Sequence, residues 1–406
     1  LNGQTLTNPG TLSLSGTGVN SGGALMNSGS AATYSGLVSL AASSSIIGGT
    51  GAIALSNAGT ISGTGYALTL GGAAGGGVTS IIGTGSGTLI KQDAGSWTLN
   101  GANTYTGTTT VSAGVLKAGN ANAFGPSSGA GAISVASGAA LDLNGKTIAS
   151  TGALTLNGTG ISNGGALMNS GGSARYSGLI SVGASGATIT NNGSRVLTLA
   201  GNIGGATSGS AALGPLTITD TAMGVTVSGP INMGSFPLEI NASGAVNLAA
   251  SITTNNASVS VNTAGSVSLG ANITTNGGAV LVKARGDITQ GVAQVSTSGG
   301  DVTYWADSDG NGVGQIELSN GASGAAAGIA TGAGNIVLGG GSGASAAAGS
   351  AAANSTRGIL VGQYASLSGA DITLQGRGAP TTSGSVGVSI AQSASVVATG
   401  AVSITG

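Results

Sequence analysis

The sequence predicts an all-β chain wound as a β-solenoid, an elongated rod of stacked parallel coils, and three observations carry that prediction. Glycine supplies 82 of the 406 residues. Short apolar–polar alternations recur from end to end. Near-identical residues return 21 positions apart within 244–276.

The glycines come first. Inside a helix each costs about 1 kcal/mol relative to Ala, and their commonest companions here, Ser, Thr, Val and Asn, suit strands and sharp turns. The rest of the composition excludes whole classes of function. Charged residues make up 5% of the chain, against roughly 25% in an ordinary domain. With 40% hydrophobic residues and a net charge of -1, the chain lacks the signature of disorder. No apolar run approaches the roughly 18 residues of a transmembrane helix. The absence of His and Cys removes Ser-His-Asp and Cys-His nucleophiles and His/Cys metal centres. Nine scattered Lys and Arg form no basic stripe, so no nucleic-acid partner is expected.

The alternations come second. TLSLSG at 11–16, GAIALSN at 51–57, YALTLGG at 66–72, SWTLNG at 96–101, LTITD at 216–220, VTVSG at 225–229, DITLQG at 371–376 and VSITG at 402–406 each read as a short half-buried strand closed by Gly, Asn or Asp.

The repeats decide between architectures. Residues 1–40 align without a gap on 143–182, placing Tyr34 on Tyr176 and Met26 on Met168. Leu1 thus matches Leu143, inside the strand-like AALDLNG; the chain begins mid-repeat, as expected of a segment of a longer protein. GAVNLAASITTNNASVSVNTA at 244–264 is followed by GSVSLGANITTNGGAVLVKAR at 265–285. A sandwich or barrel would instead show hairpin turns at strand spacing. Stacked coils put like on like, so Leu248 should lie under Leu269, Ile252 under Ile273 and Asn255 under Asn276, with apolar rows inside and Asn side chains exchanging hydrogen bonds. At about 4.8 Å per coil the full length would give about 19 coils and about 90 Å.

GSWTLNGANTYTGTTTVSAGVLKAG at 95–119 resembles the passenger-associated β-strand repeat of bacterial autotransporters, centred on Asn103-Thr104-Tyr105-Thr106-Gly107. Residues 244–306, with strand openings Gly286-Asp287-Ile288-Thr289 and Gly300-Asp301-Val302-Thr303, resemble the repeats of filamentous-haemagglutinin-like adhesins. These resemblances imply a right-handed parallel β-helix at the surface of a Gram-negative bacterium, or released from it. They also imply export through an outer-membrane pore, which a Cys-free chain would suit.

Two short motifs stand out. Asp307-Ser308-Asp309-Gly310-Asn311-Gly312 matches the first half of a calcium loop, in which hard oxygens at alternate positions converge on Ca²⁺. Asp307, Asp309 and Asn311 are the candidate ligands. The usual bidentate Glu at position 12 is replaced by Leu318, with Glu317 one place early in a strand-like run. The competing reading is a polar turn on an extruded loop. Arg285-Gly286-Asp287 is an RGD tripeptide of the kind adhesins present to integrins. Against it, Asp also opens GDVT at 300–303 and ADIT at 370–373, which marks Asp287 as a repeat position that satisfies turn amides. The doublets Thr253-Thr254 and Thr274-Thr275 raise an ice-binding array, although Thr does not recur on most coils. A polysaccharide-lyase reading rests only on Lys283, Arg285, Asp287 and Asp301.

The expected organisation is a solenoid at 1–215 carrying the long repeat, a second at 216–320 with 21-residue coils, and an Ala/Gly/Ser-rich continuation at 321–406. The expected role is the shaft of a secreted surface adhesin, acting in attachment or cell–cell contact without catalysis. It needs no cofactor apart from the candidate calcium, and its partner is a surface receptor, polysaccharide or neighbouring cell. Homotypic self-association into an extracellular filament is the alternative.

Overall fold

The computed structural model describes residues 1–7, 10–149, 152–205, 207, 209–322, 326–342, 357–378 and 385–406. Most of the Ala/Gly/Ser run therefore lies outside the described residues. Every strand pairing among the described residues for which a register is defined is parallel, and strands in the middle of each ladder pair with the equivalent strands of the coil before and the coil after. This is a parallel β-helix. The chain divides into two compact units, Leu1–Gly201 with Gly205–Ser208, and Asn202–Gly204 with Gly209–Gly406.

In the first unit, one ladder runs from Leu12–Gly16 through Val38–Gly48, Leu68–Gly71, Leu89–Lys91, Thr109–Val111 and Ile133–Val135 to Leu154–Gly158. A second runs from Ala32–Tyr34 through Ile53–Leu55, Gly76–Val78, Ser96–Leu99, Gly114–Ala118 and Ala139–Asp142 to Leu167–Asn169. The long repeat is structural as well as sequential. Strands Leu12–Gly16 and Leu25–Asn27 recur as Leu154–Gly158 and Leu167–Asn169, and the 3-10 turn Val19–Ser21 recurs as Ile161–Asn163. That turn opens on Gly160 at φ 75, where a Cβ would sit 2.1 Å from the Gly165 carbonyl oxygen, so no side chain fits.

The second unit carries three strands per coil. Leu238–Ala242, Val259–Thr263, Val280–Ala284 and Val302–Ala306 stack in one column. Ala245–Leu248, Val267–Leu269 and Ile288–Gln290 stack in the next. Ile231–Gly234, Ile252–Thr254 and Ile273–Thr274 form the third. Leu248 pairs with Leu269 and Ile252 with Ile273, as the 21-residue spacing requires. The alternation does the sorting: Val246, Leu248, Val259 and Val261 are at most 1% exposed, each contributing about 1.5–3 kcal/mol by burial, while Asn247 and Ser260 face outward.

The Asn column differs from expectation. The side-chain amide of Asn276 donates to the Thr254 carbonyl at 3.4 Å. A side-chain Asn–Asn bond instead joins Asn169 Nδ2 to Asn191 Oδ1 at 2.9 Å, buried in the first unit. The Thr doublets also split. Thr253 is exposed and Thr254 buried, because the alternation turns one of each pair inward. Thr254, Thr275, Thr297 and Thr331 form an internal corner column, each hydroxyl donating to the carbonyl three residues on, at Ala257, Gly278, Gly300 and Gly334.

Candidate functional site

Residues 89–118 contain a set of buried polar contacts that tie neighbouring coils together. Asn103, 1% exposed, accepts the Ile82 N–H at 2.8 Å and donates to the Ala123 carbonyl at 2.6 Å. One amide thereby joins the coil before to the coil after. Two residues on, the Tyr105 hydroxyl meets Thr109 Oγ1 at 2.8 Å, and burial pushes its pKa well above the ordinary tyrosine value. Trp97 fills the interior and donates its indole N–H to Gly71 at 3.0 Å. Lys91 is fully buried. Its ammonium donates to the carbonyls of Gln92, Asp93 and Ala113 at 2.7, 2.6 and 2.8 Å. Burial lowers its pKa to about 8, with the Asp93 charge working the other way. Gly114, at φ 68, leaves room for that ammonium; a Cβ there would lie 2.5 Å from Lys91 Nζ and 2.4 Å from two carbonyl oxygens.

In the second unit the two motifs occupy one corner. Arg285 is exposed. The Arg285 and Gly286 amides bond the Thr263 and Gly265 carbonyls of the preceding coil at 3.1 Å. Asp287 accepts the Gln315 N–H of the following coil at 2.9 Å, and its own N–H bonds Ser266 Oγ at 3.0 Å. The RGD tripeptide is thus built into a coil corner. Asp301 and Asp371 act alike, accepting the amides of Asn335 and Ala401 at 2.7 Å.

The DSDGNG loop follows strand Val302–Ala306. Asp307 is fully buried while Asp309 and Asn311 are exposed. Asp307 Oδ1 accepts the Gly312 N–H at 3.0 Å, and its Oδ2 is buried without a hydrogen-bond partner. Burial raises the Asp307 pKa, and the Asp309 charge raises it further against backbone N–H donors from Gly312, Val313 and Asn311. Asp309 Oδ2 accepts the Asn311 side-chain amide at 3.0 Å. Glu317 pairs in register with Thr289 inside strand Ile316–Leu318 and does not join the loop. Among the described residues, no three acidic, His or Cys side chains gather around one point.

Beside this loop runs a groove of about 530 Å³ along five successive coils, lined among others by Asp220, Asn241, Asn262, Lys283, Arg285 and Asp309. Lys283 lies over the Trp305 ring with its ammonium 3.9 Å from the centroid.

The family model described as passenger-associated-transport-repeat matches residues 89–118, the segment in which Lys91, Asn103, Tyr105 and Gly114 interlock. This chain carries an autotransporter passenger repeat. It is also 41% identical over 100 residues to the adhesin BmaC autotransporter of Brucella suis biovar 1 (strain 1330), a match covering 25% of this chain and 2% of that protein. No solved structure matches the chain. Together these findings support an autotransporter passenger adhesin, and that kinship indicates an extracellular or cell-surface location in a Gram-negative bacterium. No helix among the described residues is long and apolar enough to cross a membrane.

The passenger repeat has a physical reading in this geometry. Its Asn links coils, its Tyr fills and hydrogen-bonds the interior, and Gly114 makes way for a lysine. Sequence reasoning saw the motif and missed the lysine, because a cation in a run such as TLIKQDAG looks like a solvated corner. The groove was equally hidden, since its walls come from residues spread over 219–309. So was the ion pair of Lys117 with the buried Asp142 at 3.4 Å, whose carboxylate also accepts the Ser170 hydroxyl at 2.5 Å.

Proposed function

We propose that this segment is part of the shaft of a secreted adhesin, holding binding surfaces away from the cell and mediating attachment or cell–cell contact without catalysis. The observation that supports this most is the coil-by-coil parallel register around a passenger repeat. Such stacking builds stability by nearest-neighbour contacts and presents long polar outer faces. The groove of Asp220, Asn241, Asn262, Lys283 and Arg285 is the surface we assign to contact with a receptor or polysaccharide, since carboxylate, amide and cationic groups follow one another there from coil to coil.

The test is adhesion. Full-length parent protein displayed on a non-adherent Gram-negative host should confer binding to animal cells or sibling bacteria. A double Lys283→Ser/Arg285→Ser substitution should lower adherence about threefold or more at unchanged surface expression. Adherence of the double variant equal to that of the parent would remove the groove from the reading. Display without any gain in adherence would remove the adhesive role itself.

A further inference from the structure

The buried carboxylate of Asp307 is used on one side only. Its Oδ1 receives the Gly312 amide and its Oδ2 receives nothing. A buried charged oxygen left unpaired costs more than an ordinary lost hydrogen bond, so this atom calls for a proton or a cation. Asp309, two residues on and exposed, places a second carboxylate in the same loop. Lys283 and Arg285 line the same groove as Asp309, yet among the described residues the ion pair found within 4.0 Å is that of Lys117 with Asp142. The sequence independently supplies the alternating Asp307, Asp309 and Asn311 oxygens of a hard-cation loop.

We propose that loop 307–312 binds a calcium ion through Asp307 Oδ2 together with Asp309 and Asn311. Calcium suits the site better than magnesium, because two carboxylates, an amide oxygen, carbonyls and water form an irregular oxygen shell that magnesium tolerates poorly. With Leu318 where a bidentate Glu would stand, affinity falls in the extracellular class, about 0.1–1 mM.

The ion would act on three coils at once. The Ser308 amide bonds the Ala284 carbonyl of the coil before, and the Asp307 carbonyl accepts the Gly341 amide of the coil after. Loop 307–312 lengthens its coil, so that Ile288 pairs with Ile316, 28 residues on, where Val267 pairs with Ile288 at 21. A bound ion offsets the entropy of ordering that insertion.

Calorimetric titration of the whole chain with CaCl₂ at neutral pH tests this. The expected result is one site with Kd of about 0.1–1 mM, at least about tenfold weaker binding of MgCl₂, and a rise in melting temperature with calcium. Asp307→Asn should abolish the heat, and the exposed Asp309→Ala, which leaves the interior untouched, should weaken binding on the order of tenfold. No heat up to about 5 mM calcium, or heat unchanged in Asp309→Ala, overturns the proposal, and the buried oxygen then carries a proton. The outcome is independent of whether the segment is adhesive.

Discussion

In the first unit the side-chain oxygens of Asn27, Asp93, Asn103 and Asn169 reach back to amides of the preceding coil, at Gly3, Gly72, Ile82 and Gly145. In the second, Asp220, Ser266, Asp287, Asp301, Asn335 and Asp371 accept amides of the following coil, at Gly244, Asp287, Gln315, Asn335, Asp371 and Ala401. Ser43 and Asp142 are exceptions within the first unit, each serving a later coil. The difference is also one of depth. Asn27, Asn103 and Asn169 are buried, whereas Asp301, Asn335 and Asp371 are exposed; Asp93 in the first unit and Asp220 in the second go the other way, exposed and buried respectively. Backbone amides that fall outside the strand ladders must be satisfied somewhere. The first unit does it mainly with individual buried Asn residues, the second mainly with a corner position repeated coil after coil.

Removing one acceptor of each kind separates the two arrangements. Asn103→Leu leaves the Ile82 amide and the Ala123 carbonyl buried without partners, and should destabilise the chain by about 2–4 kcal/mol in urea unfolding. A cost under about 1 kcal/mol would mean that the motif's Asn is not a link between coils.

Lys91 offers the next largest effect, read through pH. Its folded pKa of about 8 lies below the ordinary 10.5, so between those values the unfolded chain binds the proton more strongly. Stability should therefore rise as pH increases from about 8 toward 10, by on the order of 1–3 kcal/mol. Above about 10, Tyr105, Tyr176 and Tyr304, whose pKa values burial raises, reverse the trend, because the unfolded tyrosines lose protons first. Thermal melts across this range should show a maximum in the wild type, while Lys91→Met keeps the alkaline fall and loses the rise. A flat profile below pH 10 in the wild type would count against a strained lysine.

Asp371→Ala should matter least. It removes one exposed side-chain acceptor from the Ala401 amide, and water can replace it, so a loss of no more than about 1 kcal/mol is expected. A larger loss would make the exposed corner column as important as the buried links of the first unit.

The fold was legible because its determinants repeat. Val246, Leu248 and Ile252 return at 21 residues, and stacking turns that spacing directly into columns. The corner role of Asp287 was legible for the same reason, since GDIT, GDVT and ADIT share a place before a strand. Sites made once were not legible. Lys91 meets the Ala113 carbonyl 22 residues away, and nothing in a single sequence distinguishes a cation that turns inward from one that turns out. Asn276 looked like a member of a side-chain ladder and bonds a backbone carbonyl instead, because the turns at Asn256 and Asn276 take their positive φ one position apart relative to Thr254 and Thr275.

The forward-facing acceptors of the second unit make the two edges of a coil chemically different. Once a coil has closed, Asp301, Asn335 or Asp371 already offers an oxygen to the residues that will form the next layer. The C-terminal edge of a closed coil is therefore a face already complementary to the layer that follows it, much as a crystal face is to the next layer of molecules.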